Sequence, residues 1–439
     1  MPYRILNMDY GKRLSVRILA CGLKSMRTLY LCYFGLREPL VQTQVLPYLR
    51  ELGRSRITAH LLTFEPGWPH SWSDEERAGW RERLREDGVE WRALAYHEKP
   101  SALATLYDIL VGTLTAVRLA RRERIEVLHA RAHIPLVMAL LARRLCGAKV
   151  IFDIRGLVAD EYVDAGIWVE RGTFYRTIKW IERIGVARAE QIVVLTERMF
   201  DWLVENMKAN PAKIEVIPCC ADLSRFYGKN HGAKGETDND GRFEVVYAGS
   251  VTGLYLLEEM VRFFLALRER RPNAYLRILT ATPADQASET LRKLGLGVKD
   301  YWVGAIPPSE IPAYLRDAKI GLSFRKPTFS QIAASPTKIP EYLAAGVPVV
   351  SNAGIGDTDR VLLDDRVGIV VRDFNRDAYD RAVSDLLELL DDPDLANRCR
   401  SSAYERFDLE KVGVERYRRL YQRIFESEAR KRSRAPVEL

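Results

Sequence analysis

At 439 residues, the chain is too long for one ordinary hydrophobic core and predicts two domains. Hydrophobic residues at 47% and aromatic residues at 10% exclude a disordered polymer and predict well-filled interiors. The net charge of +8 suits nucleic acid, an anionic membrane or a phosphorylated substrate, and equally suits solvated helix faces, so charge alone selects no partner.

The first 25 residues carry no clear pattern, and order is expected from Met26. Residues 18–21 mimic a lipoprotein cleavage box, but Arg17 leaves too few apolar residues before Cys21 for a signal sequence. No uninterrupted apolar run, residues 134–141 being among the longest, approaches the ~20 residues that cross a bilayer. The six cysteines show no Cys-x-x-Cys spacing and read as reduced thiols of a cytoplasmic protein. The six histidines form no ligand pattern, so no metal or other cofactor is expected.

From residue 26 to 227 short apolar strands alternate with amphipathic helices. Strands are expected at 28–33, 58–64, 127–129, 150–154 and 192–195, and helices at 43–52, 75–86, 102–121, 134–145 and 174–189. Residues 228–242 are polar and glycine-rich, the composition of a linker or exposed loop. The alternation restarts over 243–408, with strands at 245–248, 275–280, 302–303, 320–324 and 347–351 and helices at 256–268, 286–294, 337–345, 376–390 and 394–405. A last helix within 409–439 is expected to pack back on the first domain, ending in a basic tail. The fold class is α/β: two Rossmann-like parallel-sheet domains facing a cleft.

Three segments point to chemistry. In residues 333–346, Ser335 can cap a helix with Pro336 in its first turn. The exposed N–H groups, the Thr337 hydroxyl and the Lys338 ammonium would form an anion site, with Glu341 one turn on to receive a ribose diol. A capped helix with an exposed Lys338–Glu341 pair fits the same residues. The segment Phe-Asp-Ile-Arg-Gly from 152 ends a strand, where α/β ligands bind. There Asp153 and Arg155 share a face, and Asp160, Glu161 and Asp164 follow as proton acceptors. A buried Asp153–Arg155 ion pair is the other reading. His129, Arg131 and His133 follow the preceding strand. Gly35, Gln42 and Gln44 open a helix after the first strand, without a dinucleotide fingerprint.

Residues 333–346, with Ala-Ala-Gly-Val-Pro-Val-Val at their end, resemble the donor-binding helix of family-4-like retaining glycosyltransferases of the GT-B fold. Glu341 matches that family's second glutamate; its first falls at Ala333, so the likeness is to the subgroup with Ser-Pro-x-Lys. Residues 214–226, Ile-Glu-Val-Ile-Pro-Cys-Cys-Ala-Asp-Leu-Ser-Arg-Phe, resemble the strand and turn that end the family's first domain. Val-Val-Tyr-Ala-Gly-Ser at 245–250 resembles the family's turn near the donor pyrophosphate, implying Gly249 and Ser250 there, with Lys326 and Lys338, and Arg325 as a further candidate, as the neutralising charge. Val303, Gly304, Ala305 and Ile306 resemble its nucleobase loop. The resemblance implies transfer of a sugar from a nucleoside diphosphate to a hydroxyl acceptor, free or lipid-linked, with Arg155, Asp153 and Glu161 as catalytic groups. It places Gly35, Gln42, Gln44, Arg131 and His133 on the acceptor side. An epimerase or hydrolase of the same fold is the alternative. A nucleic-acid module is not expected, since aromatic–basic interleaving is missing. Basic helices carrying Arg118, Arg121, Arg122 and Arg124, and Arg176, Lys179, Arg183 and Arg188, offer peripheral contact with an anionic membrane, or plain solubilising charge.

Overall fold

The computed structural model describes residues 26–55, 57–99, 101–227 and 241–434; most of the expected linker at 228–242 lies outside them, as does Cys21. Seven strands build the first domain: β1 (Met26–Cys32), β2 (Ile57–Pro66), β3 (Val89–Tyr96), β4 (Val127–Arg131), β5 (Lys149–Asp153), β6 (Gln191–Val194) and β7 (Ile214–Val216). Six build the second: β8 (Phe243–Ala248), β9 (Ala274–Leu279), β10 (Tyr301–Gly304), β11 (Ile320–Ser323), β12 (Val349–Asn352) and β13 (Gly368–Val371). Their orders are β3-β2-β1-β4-β5-β6-β7 and β10-β9-β8-β11-β12-β13, parallel throughout. Helices cover both faces of each sheet, so the inner strands read as nearly continuous apolar runs. β4 through β6 are buried almost without a break.

The sequence reading misses β3 and β13. Both are outermost strands with only one neighbour, and β3 alternates buried Val89 and Trp91 with exposed Glu90 and Arg92 instead of forming an apolar run. The expected helix at 43–52 is two helices, Pro39–Gln44 and Leu46–Gly53, each with proline in its first turn. Ser101–Arg122 also corrects the sequence reading: its 22 residues are long and apolar enough to cross a membrane by length and composition. Its interspersed Ser, Thr, Asp and Gly hide it from a count of uninterrupted apolar residues.

The chain crosses between domains twice. Ala221 bridges to Asp408, so the outgoing and returning strands lie side by side. The returning helix Glu415–Arg434 then covers the first sheet, with Tyr417, Leu420, Tyr421 and Ile424 buried against Val127, Ile151 and Val193. Its tyrosines meet a buried charge cluster. The Tyr417 hydroxyl donates to Asp153 Oδ2 at 3.1 Å, and the Tyr421 hydroxyl lies 2.9 Å from His129 Nδ1 and 3.0 Å from Thr28 Oγ1. The Asp153 carboxylate lies 3.4 Å from the Arg155 guanidinium and 3.8 Å from that of Arg131. Burial alone would raise the Asp153 carboxyl, but Arg155, His129 and Arg131 outweigh it and hold it well below the usual carboxylate range.

Removing one member of such a cluster leaves the others buried without a counter-charge. Asp153→Ala should therefore destabilise the protein by about 3–5 kcal/mol in urea denaturation. A loss below about 1 kcal/mol, the scale of an exposed pair, would show that the two guanidiniums do not depend on this carboxylate.

Candidate active site

Each sheet reverses its strand order once, between β1 and β4 and between β8 and β11. Ligands of α/β proteins sit beyond the carboxyl ends of strands at such a switch. The two sheets present these ends to each other. Beyond β11, Lys326 donates to the Asp164 carbonyl at 3.5 Å, and the Ser330 N–H donates to the Asp164 carboxylate at 3.3 Å. Farther along, Phe329 packs edge-on against Trp202 at 5.6 Å, and Ile332 and Ala333 join the first domain's core. Asp357 of the second domain accepts the N–H groups of Glu197 (2.7 Å) and Arg198 (3.3 Å), which open the helix Glu197–Met207. A carboxylate at that helix start is favoured by the helix dipole.

On the second domain, the helix Lys338–Ala344 is held by Tyr342, whose hydroxyl accepts the Ala248 N–H at 2.7 Å and donates to the Leu322 carbonyl at 3.4 Å. This fixes Lys338 under the end of β8. Gly249 has φ +140°, and a side chain there would meet Lys338 Nζ at 2.9 Å. Glycine is needed on both counts. The ammonium lies 4.5 Å from the ring centres of Tyr247 and Tyr255 and donates to the Tyr247 hydroxyl at 3.4 Å. Arg325 lies over the other part of the box, 4.7 Å from the Tyr255 ring, and donates to Gln331 at 2.6 Å and to the Tyr255 hydroxyl at 3.1 Å. Burial and then the nearby Arg325 push the Lys338 ammonium down to about 7, with Glu341 opposing. Burial pushes the Glu341 carboxyl up to about 6, against the pull of Arg225 and Lys338.

Arg225 is a residue the sequence reading quotes within a motif without giving it a role. It reaches Glu341 at 3.7 Å and donates to the Pro308 carbonyl. It thus ties Glu341 to the loop after β10; Val303 and Gly304 at the strand's end and Ile306 in the loop are half-buried, and Ala305 is exposed. Tyr247 is likewise quoted within a motif without a role, and Tyr255 and Gln331 are missed altogether. Their aromatic and amide side chains carry no spacing signal, and only folding gathers them around Lys338 and Arg325.

Other expected residues lie elsewhere. Ser335 does not cap the helix: its hydroxyl accepts the Cys219 N–H at 3.0 Å and so joins the domains, while Thr337 takes the cap position without a side-chain bond. Lys338 is buried, not exposed beside Glu341. Lys326 reaches the Asp164 carbonyl of the first domain. Ser250 is exposed, 3.2 Å from the Thr252 hydroxyl.

On the first domain, Glu161 occupies the wall facing Arg325. Burial pushes its carboxyl up to about 7, with Arg325 opposing and Asp160 and Asp164 adding to the rise. Asp160 is engaged by Tyr175 at 3.1 Å and Lys179 at 2.9 Å. Asp153 has no exposed surface and Arg155 little, so the structure assigns both to the buried charge cluster, together with Arg131. His133 is buried 3.4 Å from Glu182. Gly35 makes room for the buried Glu65 carboxylate, which accepts the Leu36 N–H at 2.9 Å. Gln42 donates to the Leu36 carbonyl and Gln44 to the Cys220 carbonyl at 3.0 Å, so both amides hold backbone.

Residues 41–220 match the family described as glycosyl transferase 4-like domain, and residues 233–406 match glycosyl transferases group 1. The chain is 26% identical over 198 residues to D-inositol 3-phosphate glycosyltransferase of Nocardia farcinica, covering 43% of this chain and 42% of that one. It is 27% identical over 195 residues to the protein of the same description from Pseudarthrobacter chlorophenolicus, covering 42% and 44%. It thus spans less than half the length of these curated relatives. Among solved structures, Anabaena HepE in complex with UDP-glucose superposes with TM-score 0.65 at 13% identity, over 90% of this chain and all of that one. Sucrose-phosphate synthase from Thermosynechococcus elongatus superposes with TM-score 0.65 at 14% identity, over 91% and 100%. By fold and by domain content, the chain is of the family-4-like GT-B class: a glycosyl transferase 4-like domain followed by a glycosyl transferases group 1 domain.

Proposed function

We propose that this chain is a glycosyltransferase that moves a sugar from a nucleoside diphosphate to a hydroxyl acceptor with retention at the anomeric carbon, through a donor site of the Ser-Pro-x-Lys kind. The observation that carries this reading is the pairing of Lys338 and Arg325 in a buried aromatic box at the second sheet's switch point. Two like charges there repel each other, and burial deprives Lys338 of water. A diphosphate supplies the counter-charge that relieves both costs. Glu341 receives the ribose diol, and the loop at 303–306 receives the base. The HepE structures, which hold UDP and UDP-glucose, support a nucleotide-sugar donor.

In the proposed reaction the bond from the anomeric carbon to the diphosphate oxygen breaks as the acceptor oxygen bonds to that carbon. Lys338 and Arg325, fixed in place beforehand, stabilise the charge that collects on the leaving diphosphate. Glu161 takes the acceptor's proton; its raised affinity for protons suits a general base near neutral pH. No metal enters this scheme, and turnover is expected to persist in a chelator.

A thermal-shift panel of UDP, GDP, dTDP, ADP and CMP tests the donor site. One diphosphate should raise the melting temperature, and the shift should vanish in Lys338→Ala and Glu341→Ala. No response to any of the five would sink the reading.

The affinity for that diphosphate should peak between pH values of about 6 and about 7. A bound diphosphate raises the pKa of Lys338 above its free value of about 7, so binding takes up a proton and weakens as pH rises beyond that value. Glu341 accepts from ribose when ionised, so affinity also falls below about 6. Titration calorimetry should lose the alkaline limb in Lys338→Gln and the acid limb in Glu341→Gln; an unchanged profile in either variant removes that residue from the site.

Glu161→Gln should lower kcat by about 10²- to 10⁴-fold with donor affinity kept. An undiminished kcat would remove it as the base. Donor consumed at full rate without any acceptor would favour the epimerase or hydrolase reading.

A further inference from the structure

The helix Ser101–Arg122 is packed the wrong way round for a helix covering a water-facing sheet. Its inward face is mostly small: Ala104, Gly112, Thr113, Ala116 and Ala120 are buried, and a side chain at Gly112 would collide with Met138 and Phe64. Its outward face carries the large residues. Leu103, Leu106, Tyr107, Leu110 and Leu114 are exposed, each by more than half of its surface. These positions recur at helical spacing along one face over roughly 16 Å. On the same face the apolar row then gives way to exposed Arg118, Arg121 and Arg122. The helix's one acidic residue, Asp108, is turned inward, where it accepts from the Tyr33 hydroxyl at 2.7 Å and lies 2.6 Å from His97 Nδ1.

The exposed apolar surface continues beyond the helix. Tyr107 meets His97 edge-on at 5.1 Å next to Tyr96, itself partly exposed. Tyr162, near Tyr96, packs at a tilt against Trp168 with ring centres 4.4 Å apart, and Trp168 stacks on Phe174 at 5.9 Å. Ile167 and Val169, 66% and 80% exposed, project from the same loop. An apolar surface of this extent on a protein marks an interaction site.

We propose that this face docks on the surface of an anionic lipid bilayer, the first three turns of the helix entering the acyl boundary and the arginines meeting the headgroups. Charge complementarity selects this occupant. The outward face of the helix itself holds no carboxylate and ends in three guanidiniums, the pattern of an interfacial helix; just past it Glu123 lies 3.0 Å from Arg122, and on the loop the exposed Glu170 lies 4.0 Å from Arg171. In a two-fold dimer this face would set arginines against leucines or against arginines. The surface adjoins Glu161 and Asp164 in sequence and so borders the mouth of the cleft, but the docking itself does not depend on the proposed activity.

Flotation of the full chain with vesicles tests this. Vesicles in which about a third of the lipid is phosphatidylglycerol should carry the protein, and pure phosphatidylcholine should carry less of it, with the difference shrinking as salt rises. Leu106→Glu with Leu110→Glu should weaken binding at least tenfold, and Arg118→Gln with Arg122→Gln about tenfold on anionic vesicles alone. Both pairs are exposed, so melting temperature and the nucleotide-induced shift should stay as in the parent, whether or not any nucleotide binds. Vesicle binding unchanged by the leucine pair would overturn the proposal. So would a dimer in sedimentation velocity that the leucine pair dissociates while vesicles leave the parent unbound, which would assign the face to a second copy.

Discussion

The first domain is organised around one buried anion. Asp153 ends a central strand, and its carboxylate is shared by guanidiniums from the next strand and from its own, and by a tyrosine of the chain's last helix. Each partner comes from a different part of the chain, so the charge balances only when β4, β5 and the helix Glu415–Arg434 are all in place. Buried ions without partners are far costlier than buried apolar groups, so the cluster makes the return of the chain to the first domain conditional on correct packing. The second crossing, where Ala221 and Asp408 pair, is held in register by that docking.

This return has consequences for the cleft. With the last helix anchored on the first domain and the loop beyond β11 seated against Trp202, the second domain is tied to the first from two sides. The switch points of the two sheets then face each other, and groups from both enter one space. Glu161 comes from one sheet, and Arg325, Lys338 and Glu341 from the other. Their proton affinities are set mainly by burial, which moves two carboxyls up and an ammonium down toward the same range near neutrality. Burying an ammonium beside a guanidinium is costly, and the cost shows in the lowered proton affinity of Lys338.

The aromatic residues show the same division of labour. Tyr247 and Tyr255 face inward as a box for a cation, where their ring faces offset part of its lost hydration. Tyr107, Tyr162 and Phe174 face outward, where water gains nothing from them. Composition lists all of them alike, and only their placement separates rings that surround a buried cation from rings open to solvent.

Periodicity was enough to read the α/β class, the two sheets and most helices, because buried parallel strands must be apolar along their whole length and covering helices must be apolar on one side. It failed at β3, where Glu90 and Arg92 break the apolar run, and at β13, an outermost strand of only four residues. The family resemblance set Lys338, Glu341 and Gly249 in one site, whereas the residues alone also fitted a capped helix with an exposed Lys338–Glu341 pair; the fold brings Lys338 beneath Gly249. The sequence did not separate the two readings of Asp153 and Arg155, because spacing of two along a strand gives a common face but not what lies opposite. Tertiary structure decided that: the opposing groups are Arg131 and Tyr417, 22 residues before and 264 residues after Asp153 in the chain. The same limit hid Arg225, the tyrosine box and the outward turn of Ser101–Arg122. Local sequence dictates which side of an element is apolar; which side meets protein, water or ligand depends on residues brought there from far along the chain.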